Sequence, residues 1–131
     1  MAGIKYIFGL VCEDVRFEVN GKISIIGEGN IFNLPRIPLT IPLCILTKWS
    51  GPPTARGMVA LKMLSPDSAA PVRLSLQELQ LGETDPGTCF GGTINKIHWQ
   101  VHTTGVHLIQ IFLDDEEVGQ LELMIKKVEP A

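Results

Sequence analysis

The sequence predicts an all-β fold: one domain over residues 1–131, built as a two-sheet Greek-key β-sandwich of about seven to nine antiparallel strands. Three observations carry that expectation. Apolar and polar residues alternate with period two along most of the chain. Turn signals rich in Gly, Pro and Asp separate the alternating runs at intervals of about ten residues. No window holds a 3.6-residue apolar stripe between helix caps. With 45% hydrophobic and 19% charged residues the chain is too apolar for disorder, and an aromatic share of 6% leaves the core to Ile, Leu and Val.

Ile4 to Val11 is apolar on both faces apart from Lys5, as in a covered central strand or a strand at an interface. Regular alternation places Tyr6, Phe8, Leu10 and Cys12 on one face, Ile7 and Val11 on the other. Asn20-Gly21 is a two-residue hairpin turn joining Val15–Val19 to Lys22–Ile26. LPRIPLTIPL follows, with Pro35, Pro38 and Pro42. Three prolines exclude a paired central strand and predict an extended edge or crossover leading into Leu43 to Trp49. Val59, Leu61 and Met63 alternate with Met58, Ala60 and Lys62; Val72, Leu74 and Leu76 alternate with Arg73, Ser75 and Gln77. Parity breaks over Gln77 to Leu81, which predicts a bulge or a short helical turn. Ser65-Pro66-Asp67, Asp85-Pro86-Gly87 and Gly91-Gly92 read as turns or loops.

Ile97, Trp99 and Val101 alternate with Lys96, His98, Gln100 and His102, a strand with one wet face. GVHLIQIFLDDEEVGQLELMI, from Gly105, is a hairpin: two extended runs around an acidic turn. Gly119, Leu121, Leu123 and Ile125 form the core face of its second run. In the first run His107, Ile109, Ile111 and Leu113 oppose Val106, Leu108, Gln110 and Phe112, and both faces are mostly apolar.

A net charge of −3 without a basic cluster gives no stripe for phosphate contacts, so nucleic acid is not an expected partner. Met1 to Lys5 do not read as a signal peptide, and Glu13 and Asp14 end the first apolar segment well short of a membrane span. Cys12, Cys44 and Cys89, odd in number and widely spaced, predict buried reduced thiols and a cytoplasmic setting.

LVCEDVRFEVNGKISIIGEGNIF, Leu10 to Phe32, resembles the amino-terminal signature of an uncharacterised family of small bacterial β-sandwich proteins. Its marks are Cys-(Asp/Glu)-Asp-Val, then Gly-Lys-x-Ser-x-Ile-Gly, then a Pro-containing segment. The carboxy-terminal hairpin resembles that family too and, more loosely, immunoglobulin-like and C2-like sandwiches. His107 stands where Tyr is common in them. The resemblance implies the fold and a bacterial or phage origin. It brings no activity to transfer, and fold alone does not give function.

Several residue sets invite chemistry. His98 and His102 share a strand face but lie roughly 13 Å apart, too far for one metal ion, and zinc spacings are absent. Cys12 and Cys89 are the candidate nucleophiles of a small cysteine-dependent hydrolase; Cys12, in phase with apolar neighbours, reads better as core. Asp114, Asp115 and Glu117 are the candidate ligands of a C2-like calcium- or lipid-binding domain, although carboxylates within one turn diverge. The Gly27-Glu28-Gly29 and Gly91-Gly92 pairs lack the helix and the Gly-Lys-Ser/Thr ending of a phosphate loop.

No set converges on catalysis, so no catalytic residue, cofactor or resident metal is expected. The two-faced apolar strands point elsewhere. Ile7 and Val11, with Val106, Leu108 and Phe112, are the candidate interface to a second copy or another protein. The expected role is a non-enzymatic interaction or assembly module that self-associates as a dimer.

Overall fold

The computed structural model describes residues 3–19, 22–82 and 87–128. Among them lie ten strands and no helix: β1 (Lys5–Cys12), β2 (Asp14–Phe17), β3 (Ile23–Ile26), β4 (Ile31–Leu34), β5 (Leu39–Gly51), β6 (Arg56–Leu64), β7 (Val72–Gln80), β8 (Cys89–Val101), β9 (Gly105–Leu113) and β10 (Glu116–Lys127). The all-β class is as expected; the strand count is higher. The Asn20-Gly21 turn lies outside the described residues, as do Asp85 and Pro86.

Hydrogen bonding sorts the strands into three sheets, ordered β1-β5-β8, β4-β10-β9-β6-β7 and β2-β3. The pairs are antiparallel except β4 with β10, where Met124 lies beside Ile31 and Lys127 beside Leu34 in parallel. That corrects the wholly antiparallel expectation. These two segments are far apart in sequence, so no tight turn dictates their relative direction. The β9–β10 hairpin turns on Asp114 and Asp115 alone, both left-handed at φ 48° and 69°, the geometry that matches strand twist. Glu116 and Glu117 already belong to β10.

The main core joins residues of the three- and five-stranded sheets. Ile45, Trp49 and Val101 come from one; Leu61, Ile109, Ile111, Leu123 and Ile125 from the other. Full burial of each aliphatic side chain contributes about 1.5–3 kcal/mol. The alternation read for β6, β9 and β10 places their core residues correctly.

The register slips by one residue in three places: at Val118 in β10, before the run read from Gly119, and within β1 and β7. In β1, Tyr6 pairs with Trp49 and Phe8 with Lys48, leaving Ile7 unpaired. Tyr6 and Val11 therefore both pack in the main core, while Leu10 and Cys12 join a second cluster. Val11, 3% exposed, is a core residue and not part of an interface. In β7, Ser75 opposes Leu61 and Arg73 opposes Lys62, so Leu74 is the extra residue. The irregularity expected over Gln77–Leu81 sits there instead. Beyond it β7 runs evenly to Gln80 with Leu79 in the core and Leu76 outside.

The proline and glycine signals also need correction. β5 starts at Leu39 and contains Pro42, opposite His98. β1 joins β5 only from Cys44 onward, so Pro42 has a neighbour on one side alone and its missing N–H breaks no ladder. Gly91 and Gly92 lie inside β8, opposite Trp49 and Lys48. A Cβ on Gly91 would stand 2.8 Å from Leu81 Cδ2, so the glycine makes room for that buried leucine.

The β2-β3 hairpin covers the other face of the three-stranded sheet. Val15 and Ile23 pack there with Cys12, Cys44, Leu46 and Ile94. Lys96 Nζ on β8 meets Asp14 Oδ1 at 2.7 Å, tying the hairpin to the sheet. This hydrogen bond from the ammonium holds the Asp14 carboxyl below its usual range.

Candidate partner interface

Residues opposite one another on neighbouring strands present their side chains to the same face. Val106 pairs with Met124, which pairs with Ile31. Leu108 pairs with Leu64. Together these five form an apolar strip on the outer face of the five-stranded sheet, interrupted by Glu122, the partner of Leu108 on β10. Val106 is 42% exposed and Ile31 59%. Farther along, Phe112 pairs with Ala60, which pairs with Leu76. Gln110 and Lys62 form the row between, and Lys62 Nζ lies 4.5 Å above the centre of the Phe112 ring. That cation stabilises the exposed ring face by about 0.5–1 kcal/mol.

Val106, Leu108 and Phe112 thus share a face, as expected. Ile7 is exposed but does not join them, because β1 and β9 lie in different sheets. Ile31, Leu64 and Met124 complete the strip. Their signal was the apolar residue on a nominally wet face, visible at Met124 between Glu122 and Lys126.

The acidic turn is committed to the fold. Asp114 Oδ1 accepts a hydrogen bond from the Met58 backbone N–H at 2.9 Å, and Asp114 N–H donates to the Met58 carbonyl at 2.9 Å. Glu117 Oε2 accepts from Gln120 Nε2 at 2.7 Å. Among the described residues no three His, Cys, Asp or Glu side chains converge as a metal site.

Cys12 and Cys44 are register partners on β1 and β5. Burial, with the hydrogen bond to Cys12, pushes the Cys44 thiol up to about 12. Cys44 and His98 line one small cleft of about 230 Å³ with Glu13 and Lys96. A thiol held protonated so strongly is a poor nucleophile despite that company. Cys89 packs in the main core.

His107 is fully buried, edge-on to Trp99 with ring centres 5.0 Å apart. Its Nδ1 lies 3.1 Å from the Gly105 carbonyl, which only accepts, so Nδ1 carries the proton. Nε2 has no hydrogen-bond partner. Protonation would bury an unmatched N–H and a charge, and burial accordingly lowers the His107 pKa, against smaller opposing effects from Gly105 and Asp67. The unfolded chain takes the proton first, near pH 6.5. The stability from neutral His107 is therefore complete above that pH and is lost as pH falls through the lower folded value. Melting temperatures from pH 7.5 to 5 should fall more steeply for the wild type than for His107→Phe. Parallel slopes would show that this ring does not drive acid sensitivity.

Several solved structures resemble this chain to different degrees. A β-glucosidase from Listeria innocua, in complex with gluconolactone, superposes with TM-score 0.56 at 8% identity, covering 97% of this chain and 16% of that one. An alkylpurine DNA glycosylase from Pseudomonas fluorescens, bound to DNA containing an abasic site analog, gives TM-score 0.55 at 14% identity, covering 95% and 31%. An immunoglobulin-like protein from Pseudomonas aeruginosa gives TM-score 0.44 at 13% identity, covering 95% and 98%. This chain spans less than a third of either enzyme chain, and at such identities the likeness is one of fold alone. No curated protein matches. A family model matches residues 7–126, and the chain belongs to that family, one of unknown function (DUF6941).

Proposed function

We propose that this chain is a non-enzymatic assembly module that pairs with a second copy of itself through the outer face of its five-stranded sheet. The supporting observation is the strip of Ile31, Met124, Val106, Leu108 and Leu64, apolar where a free sheet face is normally polar. Burying about 500 Å² of apolar surface there would supply roughly 12 kcal/mol, which exceeds all but the upper part of the association cost of about 4–15 kcal/mol and so supports a modest dimer. In this reading the three- and five-stranded sheets stack as a two-layer, Greek-key sandwich, supported by a main core that draws on both. The chain works in the cytoplasm, where its buried thiols stay reduced.

Leu108→Asp places a carboxylate in the middle of the strip while leaving the core face of β9 untouched. Sedimentation velocity should show a wild-type dimer and a folded Leu108→Asp monomer, with dimer affinity at least about 100-fold weaker. A wild-type monomer at micromolar concentration, or an unaltered dimer in the variant, would remove the proposal.

A further inference from the structure

The β2-β3 hairpin does not lie flat on the three-stranded sheet. Its base is held by Val15 in the second cluster and by the Asp14–Lys96 ion pair. Toward Phe17 it leaves a cleft of about 640 Å³, within the usual range for small-molecule sites. Leu46, Gly92 and Ile94 line the sheet side, and Val15, Phe17 and Ile23 line the hairpin side. Phe17 is 76% exposed, a large ring left without cover at this opening.

Two lysines line the cleft, and they differ. Lys96 is neutralised by Asp14. Lys48 is half-buried, and among the described residues no carboxylate lies within ion-pair distance of it. Its stem packs beside Gly92, where a Cβ would stand 3.4 Å from Lys48 Cδ and 3.0 Å from the Thr47 carbonyl. The cleft therefore mixes the apolar side chains of Val15, Phe17, Ile23, Leu46 and Ile94 with polar surface, including one uncompensated positive charge and the neutral amide of Gln77.

We infer that this cleft binds a small amphipathic carboxylate, its apolar body between hairpin and sheet and its anionic head at Lys48. The apolar side chains on both sides reward a ligand with an apolar body over a fully polar anion, which would leave them without contact. The single unpaired ammonium selects a monoanion over a cation or a neutral chain. A carboxylate on an unbranched acyl chain meets both demands.

Decanoate is the probe, with decyltrimethylammonium and decanol as chain-matched controls, titrated calorimetrically against the whole protein. Saturable decanoate binding is expected, about tenfold tighter than either control. Lys48→Met keeps the stem and removes the charge, so it should abolish that preference. Absence of saturable decanoate binding overturns the inference, as does equal binding of the cationic probe. Decanoate binding unchanged in Lys48→Met also overturns it. Should that variant fail to fold, the wild-type comparison of the three probes decides. Binding should persist in Leu108→Asp, which separates this cleft from the self-association face.

Discussion

Trp49→Ala is expected to lower stability by about 3–5 kcal/mol, a large part of the total for a domain this size. Trp49 is wholly buried at the centre of the main core. Its ring meets Tyr6 edge-on, with centres 5.3 Å apart and planes at 64°. Its Nε1–H donates to Thr47 Oγ1 at 2.7 Å, and Thr47 Oγ1 is in turn hydrogen-bonded to Thr93 Oγ1. Alanine would leave a void that surrounding strands cannot close, and would deprive the threonine pair of its outside donor. Trp49→Phe shifts the balance between these effects, because it keeps most of the apolar volume while losing the N–H and a smaller part of the ring. A cost of about 1–3 kcal/mol is expected for it, read from chemical denaturation. If Trp49→Ala cost less than 1 kcal/mol, the picture of a rigid core around this ring would be wrong.

The second large effect comes from adding one methyl group. A Cβ on Gly119 would stand 2.6 Å from Tyr6 Cε2 and 3.1 Å from Cδ2 and Cζ. Tyr6 cannot easily retreat. Its ring is fixed on Trp49, and its hydroxyl lies 2.8 Å from where a Cβ on Gly9 would stand. Gly119 does not have a positive φ, so the cost is overlap and not backbone strain. Gly119→Ala should therefore destabilise by about 1–3 kcal/mol. In a double-mutant cycle with Tyr6→Leu, the combined cost should fall short of the sum by more than about 0.5 kcal/mol. Strict additivity would show that the ring is not what the glycine accommodates.

The carboxy-terminal hairpin was the most legible part of the chain. Its period-two pattern carries through β9 and, from Gly119 onward, through β10 on the core face, with Val118 the one residue that slips, and a two-residue turn fixes the pairing. Legibility failed where a single residue slips out of the ladder inside a run read as regular, as in β1 and β7. Nothing in Tyr6-Ile7-Phe8 marks Ile7 as the extra residue, so regular alternation sent Val11 to the wrong face. Leu74 did the same to Leu76. The interface was half legible for a related reason. Val106, Leu108 and Phe112 announce themselves on one strand, but Ile31 reaches them through a parallel pairing that no local pattern encodes. The cleft beside Lys48 was not legible at all. It exists because Val15 and Ile23 dock the hairpin on the sheet while Phe17, opposite Ile23, stays exposed, an arrangement that depends on docking between segments distant in sequence.

The slip at Ile7 also decides where β1 can change length. Tyr6 and Phe8 keep successive partners, Trp49 and Lys48, across it. Removing Ile7 would leave both flanking registers in place and yield an unbroken ladder. Removing Gly9 or Leu10 would instead rotate everything on one side of the cut by half a turn, exchanging which side chains meet oil and which meet the hairpin. Among natural variants of this chain, position 7 is where one-residue deletions in β1 should collect.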